Sequence, residues 1–165
     1  MPDEPGLKKG TVPKTTARHR ISSSRKRLSG NSYVVLLGMK DEQTSELLKR
    51  IKRGFGYSSW ENFIRNTDLR KEDAINLLQI SPRTLSRRKE EGRLHPVESD
   101  RLIRAARIFA LASDLFDGDV DSAREWLTAT QPALGGSTPI EYASTEPGAR
   151  EVEALIGRLE HGIPS

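Results

Sequence analysis

Residues 73–89 read DAINLLQISPRTLSRRK, and this stretch decides the fold. Ala74, Ile75, Leu77 and Leu78 give a short helix over residues 68–79 an apolar face. A tight turn at Ile80-Ser81 comes next. Ser81-Pro82 then opens a second helix, because a serine oxygen accepts from first-turn amides and proline lacks an amide hydrogen where none is needed. That helix runs to about Gly92 with Leu85 inward and polar or basic residues elsewhere. Two short helices across a tight turn form a helix-turn-helix, whose second helix enters the DNA major groove with its N-terminal residues against base edges. On this reading Arg83, Thr84 and Arg87 read bases: arginine offers a bidentate fork to guanine, threonine a hydroxyl and a methyl. Ser81 with the helix N-terminus binds a phosphate, and Arg88, Lys89 and Arg93 add sequence-independent phosphate contacts. Two residues depart from the usual motif. Gln79 stands at a turn position that is commonly glycine, and Ile75 where a small residue is usual, which predicts an altered inter-helix angle. A basic helical hairpin that only packs is the competing reading.

Working outward, Pro96 opens the longest helix, in which Leu102, Ile103, Ala106, Phe109, Ala110 and Leu115 recur at three- and four-residue steps and make it the spine of the core. Asp117-Gly118 ends it. Asp121 is the expected cap of a helix carrying Trp126 and Leu127, Gly135-Gly136 is a loop, and Thr138 with Glu141 forms a capping box. A last helix from near Thr145 to Gly162 carries Val152, Leu155, Ile156 and Leu159 on one stripe, which reads as core before interface. Upstream, Leu47, Leu48 and Ile51 mark a helix between Asp41 and Gly54, and Ser58 with Glu61 is a capping box for a helix bearing Trp60, Phe63 and Ile64. Residues 33–37, YVVLL, fit either a strand or a helix start and are a candidate subunit contact. Residues 1–30 hold three prolines, a serine run and a basic cluster with few large apolar side chains, and read as a disordered basic tail. The fold class is mainly α. Its parts are the tail 1–30, an N-terminal helical and dimerisation region 31–66, the helix-turn-helix core 67–112 and a C-terminal domain 113–165.

At 165 residues and 18.4 kDa the chain suits one domain or two small ones sharing an interface. With 35% hydrophobic and 30% charged residues it offers no apolar run of the ~18–20 residues a membrane span needs. It has no cysteine and its start lacks the apolar core of a secretory signal, so a cytoplasmic location is expected. The net charge of +4 hides a gradient. Residues 1–30 carry eight Lys and Arg against two acids, whereas residues 111–165 carry three against ten. Such a split suits a polyanion for the basic part and a protein surface for the acidic part, and equally two solvated faces.

Little in the chain suits catalysis. His19, His95 and His161 lie far apart in a tail, a loop and a helix end. Residues 117–121, DGDVD, imitate a calcium loop but place Ser122 and Thr128 where that loop needs glycine and a bidentate glutamate. No phosphate loop, nucleophile elbow or HExxH pair occurs. The expectation is a non-enzyme with no metal and no cofactor.

From about residue 33 the chain resembles the Xre/MbcA/ParS antitoxins, partners of RES-domain toxins in type II toxin–antitoxin systems. The resemblance rests on residues 80–112 (ISPRTLSRRKEEGRLHPVESDRLIRAARIFALA), 121–127 (DSAREWL) and 131–163 (QPALGGSTPIEYASTEPGAREVEALIGRLEHGI). It implies an N-terminal part that helps form a homodimer, a Cro-like helix-turn-helix core on operator DNA, and a C-terminal helical toxin-binding domain. RES toxins are understood to consume NAD, with the antitoxin blocking the active site. Carried onto this chain, the toxin-facing residues are Leu134, Gly135, Gly136, Arg150, Glu160, His161, Gly162, Ile163 and Pro164. A repressor without a toxin partner, and a toxin-binding protein that never touches DNA, are the alternatives.

Overall fold

Helical periodicity dominates the sequence, and helices make up every regular element among the residues described, 32–40 and 42–162 of a computed structural model. A 3-10 helix, Ser32–Leu37, leads into α1 (Thr44–Arg53), α2 (Tyr57–Thr67), α3 (Lys71–Leu78) and α4 (Pro82–Glu91). Then come α5 (Pro96–Leu115), α6 (Val120–Thr128), a 3-10 turn at Pro132–Leu134, the short α7 (Pro139–Tyr142) and α8 (Glu146–Glu160). The basic tail and the residues after Gly162 lie outside the described residues.

The 20-residue α5 is the spine its periodicity predicts. Leu102, Ile103, Ala106, Phe109 and Ala110 are buried and Leu115 is partly so. It packs against the opening 3-10 helix, α1, α2 and α3 toward the N-terminal side, and against α6 and α8 on the other. One apolar cluster therefore runs from Val34 to Ile156 without a break between the helix-turn-helix and the C-terminal helices.

Two local expectations are corrected, and one open reading is filled in. The YVVLL segment takes the helical of its two readings and packs within this chain: Val34 and Leu37 are fully buried, and Asn62 and Asn66 of α2 donate to the carbonyls of Leu37 and Leu36. Val35 stays exposed. The Ser58–Glu61 capping box is not formed, because α2 starts at Tyr57 with Gly56 as its cap. A tertiary contact sets that start: Gly56 pairs with Arg93 in an antiparallel bridge, and the Tyr57 amide donates to the Gly92 carbonyl at 2.9 Å. Asp119 rather than Asp121 caps α6, accepting from the Asp121 and Ser122 amides at 3.0 and 3.2 Å. The Ser122 hydroxyl also donates to it, and these bonds hold the Asp119 carboxyl below its usual range. The Thr138–Glu141 capping box forms as expected. Among the described residues no helix is long and apolar enough to cross a membrane.

Candidate functional site

The turn between α3 and α4 is built without the usual glycine. Gln79 takes the left-handed conformation itself, at φ 51° and ψ 46°, which a side chain ordinarily resists. Hydrogen bonds from outside the motif hold it. Its Nε2 donates to the Ser144 carbonyl between α7 and α8 at 2.6 Å, and Arg101 of α5 donates to the carbonyls of Leu78 and Gln79 at 3.0 and 3.3 Å. Ile75, the other departure, is absorbed into the core. Both deviations thus leave two helices joined across a tight turn.

Ser81 caps α4 as its sequence predicts, its Oγ accepting from the Thr84 amide at 3.0 Å and sharing a second hydrogen bond of 3.0 Å with Thr84 Oγ1. Ser81→Ala removes this acceptor and is expected to lower stability by about 1 kcal/mol in a denaturant titration. Leu85 is buried, and Arg83, Ser86, Arg87 and Lys89 are exposed along the outer face, with Thr84 half-buried at its start. Arg87 lies 3.7 Å from Glu91 in a solvated pair, and no carboxylate among the described residues pairs with Arg83 or Lys89.

Arg88 requires a correction. Only 4% of it is exposed, so it does not lie on the phosphate-facing surface. Its Nε donates to both oxygens of buried Glu98, at 3.0 and 2.8 Å, and its Nη1 to Glu91 at 2.8 Å. Glu98 also accepts from the His95 amide at 2.7 Å, capping the start of α5. Burial pushes the Glu98 carboxyl up, but the bonds from Arg88 and the His95 amide outweigh it and hold the group below the usual carboxylate range. Arg88 therefore ties α4 to the start of α5, and its guanidinium is engaged within the chain rather than presented on the outer face. The signal was present in the sequence: Arg88 stands three residues after Leu85 and shares its inward face.

The C-terminal residues are spread more widely. Leu134 is buried at 5% exposure, so its side chain belongs to the core, while the turn after it faces outward. Gly135 and Gly136 form that turn with φ of 66° and 84°, and open space lies where a Cβ of either would stand. Arg150 is exposed near the start of α8, bonded to Glu146 at 3.1 Å. Glu160, His161 and Gly162 are exposed at its far end, about 15 Å along the axis at 1.5 Å per residue. His161 Nδ1 sits 2.7 Å from the Gly157 carbonyl. Val152, Leu155 and Ile156 are core, and Leu159 is partly buried. Ile163 and Pro164 lie outside the described residues.

Sequence reasoning missed what the acidic C-terminal part does internally. Arg104 Nε meets Glu146 at 2.7 Å, and Arg107 meets Glu153 at 2.6 Å as an ion pair rather than an aligned hydrogen bond. Bonds from Arg150 and then the nearby charge of Arg104 hold the Glu146 carboxyl below its usual range. Some of the negative charge of α8 thus answers α5. Helical spacing could have found this, since Arg104 and Arg107 are three apart and Glu146 and Glu153 seven apart.

This geometry is that of a helix-turn-helix protein with a further helical unit built onto the same spine. Residues 37–107 match the antitoxin Xre-like helix-turn-helix domain, and residues 111–162 match the antitoxin Xre/MbcA/ParS C-terminal toxin-binding domain. Antitoxin Xre of Yersinia enterocolitica serotype O:8 is 35% identical over 128 residues, covering 77% of this chain and 86% of the relative. Antitoxin Xre of Photorhabdus laumondii is 42% identical over 96 residues, 58% of this chain and 65% of the relative. At 25% identity over 121 residues, 68% of this chain and 76% of the relative, stands a protein of Sphingobium sp. strain YBL2 named Prs ADP-ribosylating antitoxin. The chain belongs to the Xre/MbcA/ParS family of antitoxins.

Proposed function

We propose that this antitoxin neutralises an NAD-consuming RES-domain toxin by covering its active site, and that it represses its own operon as a homodimer through α4. The observation that carries the DNA half is the outer face of α4, where Arg83 and Lys89 are exposed without carboxylate partners and Thr84 stands beside the capped N-terminus. Ser81, Arg83, Thr84, Arg87 and Lys89 make up that surface; Arg88 is not among them. Toxin contact falls to the Gly135-Gly136 turn, Arg150, and the end of α8 from Glu160 onward, including Ile163 and Pro164. Support for NAD chemistry comes from the resemblance and from the name of the Sphingobium relative, since NAD is the usual donor in ADP-ribosyl transfer.

Co-expression with the product of the adjacent reading frame tests this reading. The expected result is a co-purifying complex, with cellular NAD retained when this chain is present and depleted when the partner is expressed alone. Absence of both complex and NAD response removes the toxin half and leaves a repressor.

A further inference from the structure

α1 lies outside the helix-turn-helix pair, yet its cations divide in a telling way. Lys49 and Arg50 are engaged by Glu46 at 2.6 Å and Glu42 at 3.4 Å. Lys52 and Arg53, in the last turn, are exposed, and neither has a carboxylate within ion-pair distance among the described residues. Elsewhere arginines with acids nearby are paired, as Arg104, Arg107, Arg124 and Arg150 are.

The end of α1 is fastened to the end of α4. Arg93 Nη1 donates to the carbonyls of Arg53 and Gly54 at 3.1 and 3.0 Å. The Leu94 amide donates to Phe55 at 2.8 Å, and a Cβ on Gly54 would stand 2.1 Å from the Leu94 carbonyl, so the two segments meet backbone to backbone. Lys89 occupies the last turn of α4 just before this junction, while Glu91 is taken up by Arg88. Lys89, Arg93, Arg53 and Lys52 thus belong to one junction of two helix ends, with the Arg93 guanidinium spanning it.

Resting on the reading of α4 as a DNA-contacting helix, we propose that Lys52 and Arg53 of α1 form a second clamp on the DNA sugar–phosphate backbone, continuous with Lys89 through Arg93. The chemistry is that of exposed cations, without carboxylate partners among the described residues, meeting a polyanion: each phosphate neutralised releases a condensed counterion and steepens the salt dependence of binding, without regard to sequence. The clamp adds affinity to every duplex alike, whereas Arg83 and Arg87 divide one sequence from another.

The test measures binding of the full chain across a NaCl titration. One duplex is taken from directly upstream of the gene and the other is a scrambled duplex of equal length. Lys52→Gln with Arg53→Gln is expected to make the slope of log affinity against log salt shallower by about 1.8 on both duplexes, at roughly 0.9 per phosphate contact. The charge-preserving exchange Lys52→Arg with Arg53→Lys keeps the wild-type slope and controls for disturbance of α1. An unchanged slope in the Gln variant, or an equal loss in the exchange variant, overturns the clamp and leaves α4 standing. A wild-type chain without salt-dependent binding to either duplex overturns the DNA reading and the clamp together.

Discussion

Arg88→Met is expected to destabilise the protein by ~3–5 kcal/mol at neutral pH, the usual cost of removing one partner of a buried ion pair. The thermal midpoint should fall by roughly 6–20 °C. The loss arises on the partner: Glu98, 6% exposed, would keep the His95 amide and lose both bonds from the guanidinium. Acidity gives the result its signature. In the wild type the Glu98 carboxyl is held below its ordinary value, so its contribution is fully present above about pH 4.3 and drains away as pH falls through the depressed folded value. In the variant, burial is opposed by the His95 amide without the Arg88 bonds, so the carboxyl rises relative to the wild type, and protonation then relieves part of the penalty. Denaturant midpoints for the two proteins should therefore converge on acidification. Equal stability at neutral pH would show that the pair is not the joint between α4 and α5.

The second large effect concerns the outer face of the same helix. Arg83→Ala combined with Arg87→Ala is expected to weaken operator binding by about 2–6 kcal/mol, from roughly 30-fold to beyond ten-thousand-fold, if each forms a bidentate contact worth ~1–3 kcal/mol. Arg87 is available for that contact, since its 3.7 Å approach to Glu91 joins side chains 60% and 43% exposed, a screened pair that costs little to give up. Binding to unrelated DNA should fall much less, and the toxin complex should persist. Unchanged operator affinity in a gel-shift titration would remove α4 as the reading helix.

The two large effects mark where sequence reasoning succeeds and where it stops. Periodic segments were legible: α5 and α8 repeat their apolar residues over many turns, and Ser81-Pro82 announces α4 through chemistry confined to one turn. What escaped was set across the chain. Arg88 reads as one more cation in a basic helix because Glu98 stands ten residues away, beyond a turn that folds it back. The start of α2 was misplaced because pairing of Gly56 with Arg93 overrides a good local capping signal. YVVLL is too short to declare a period, and only the surrounding α2 and α5 reveal where its side chains go. For the residues proposed to face a toxin, burial separates Leu134 from its two glycines, which a loop motif alone cannot do.

The boundary between the two family domains, residues 107 and 111, falls inside α5. A helix of 20 residues is a rod about 30 Å long at 1.5 Å per residue, where many two-part regulators have a tether. A tether lets its passenger sweep a volume, and rotation is unconstrained. A rod fixes both distance and bearing. Whatever the C-terminal helices hold is carried at one orientation relative to the outer face of α4, so a shift of one residue within α5 would swing the passenger by about 100° around the axis. Insertions or deletions in this helix should therefore disrupt the geometry of a ternary assembly far more than their length suggests.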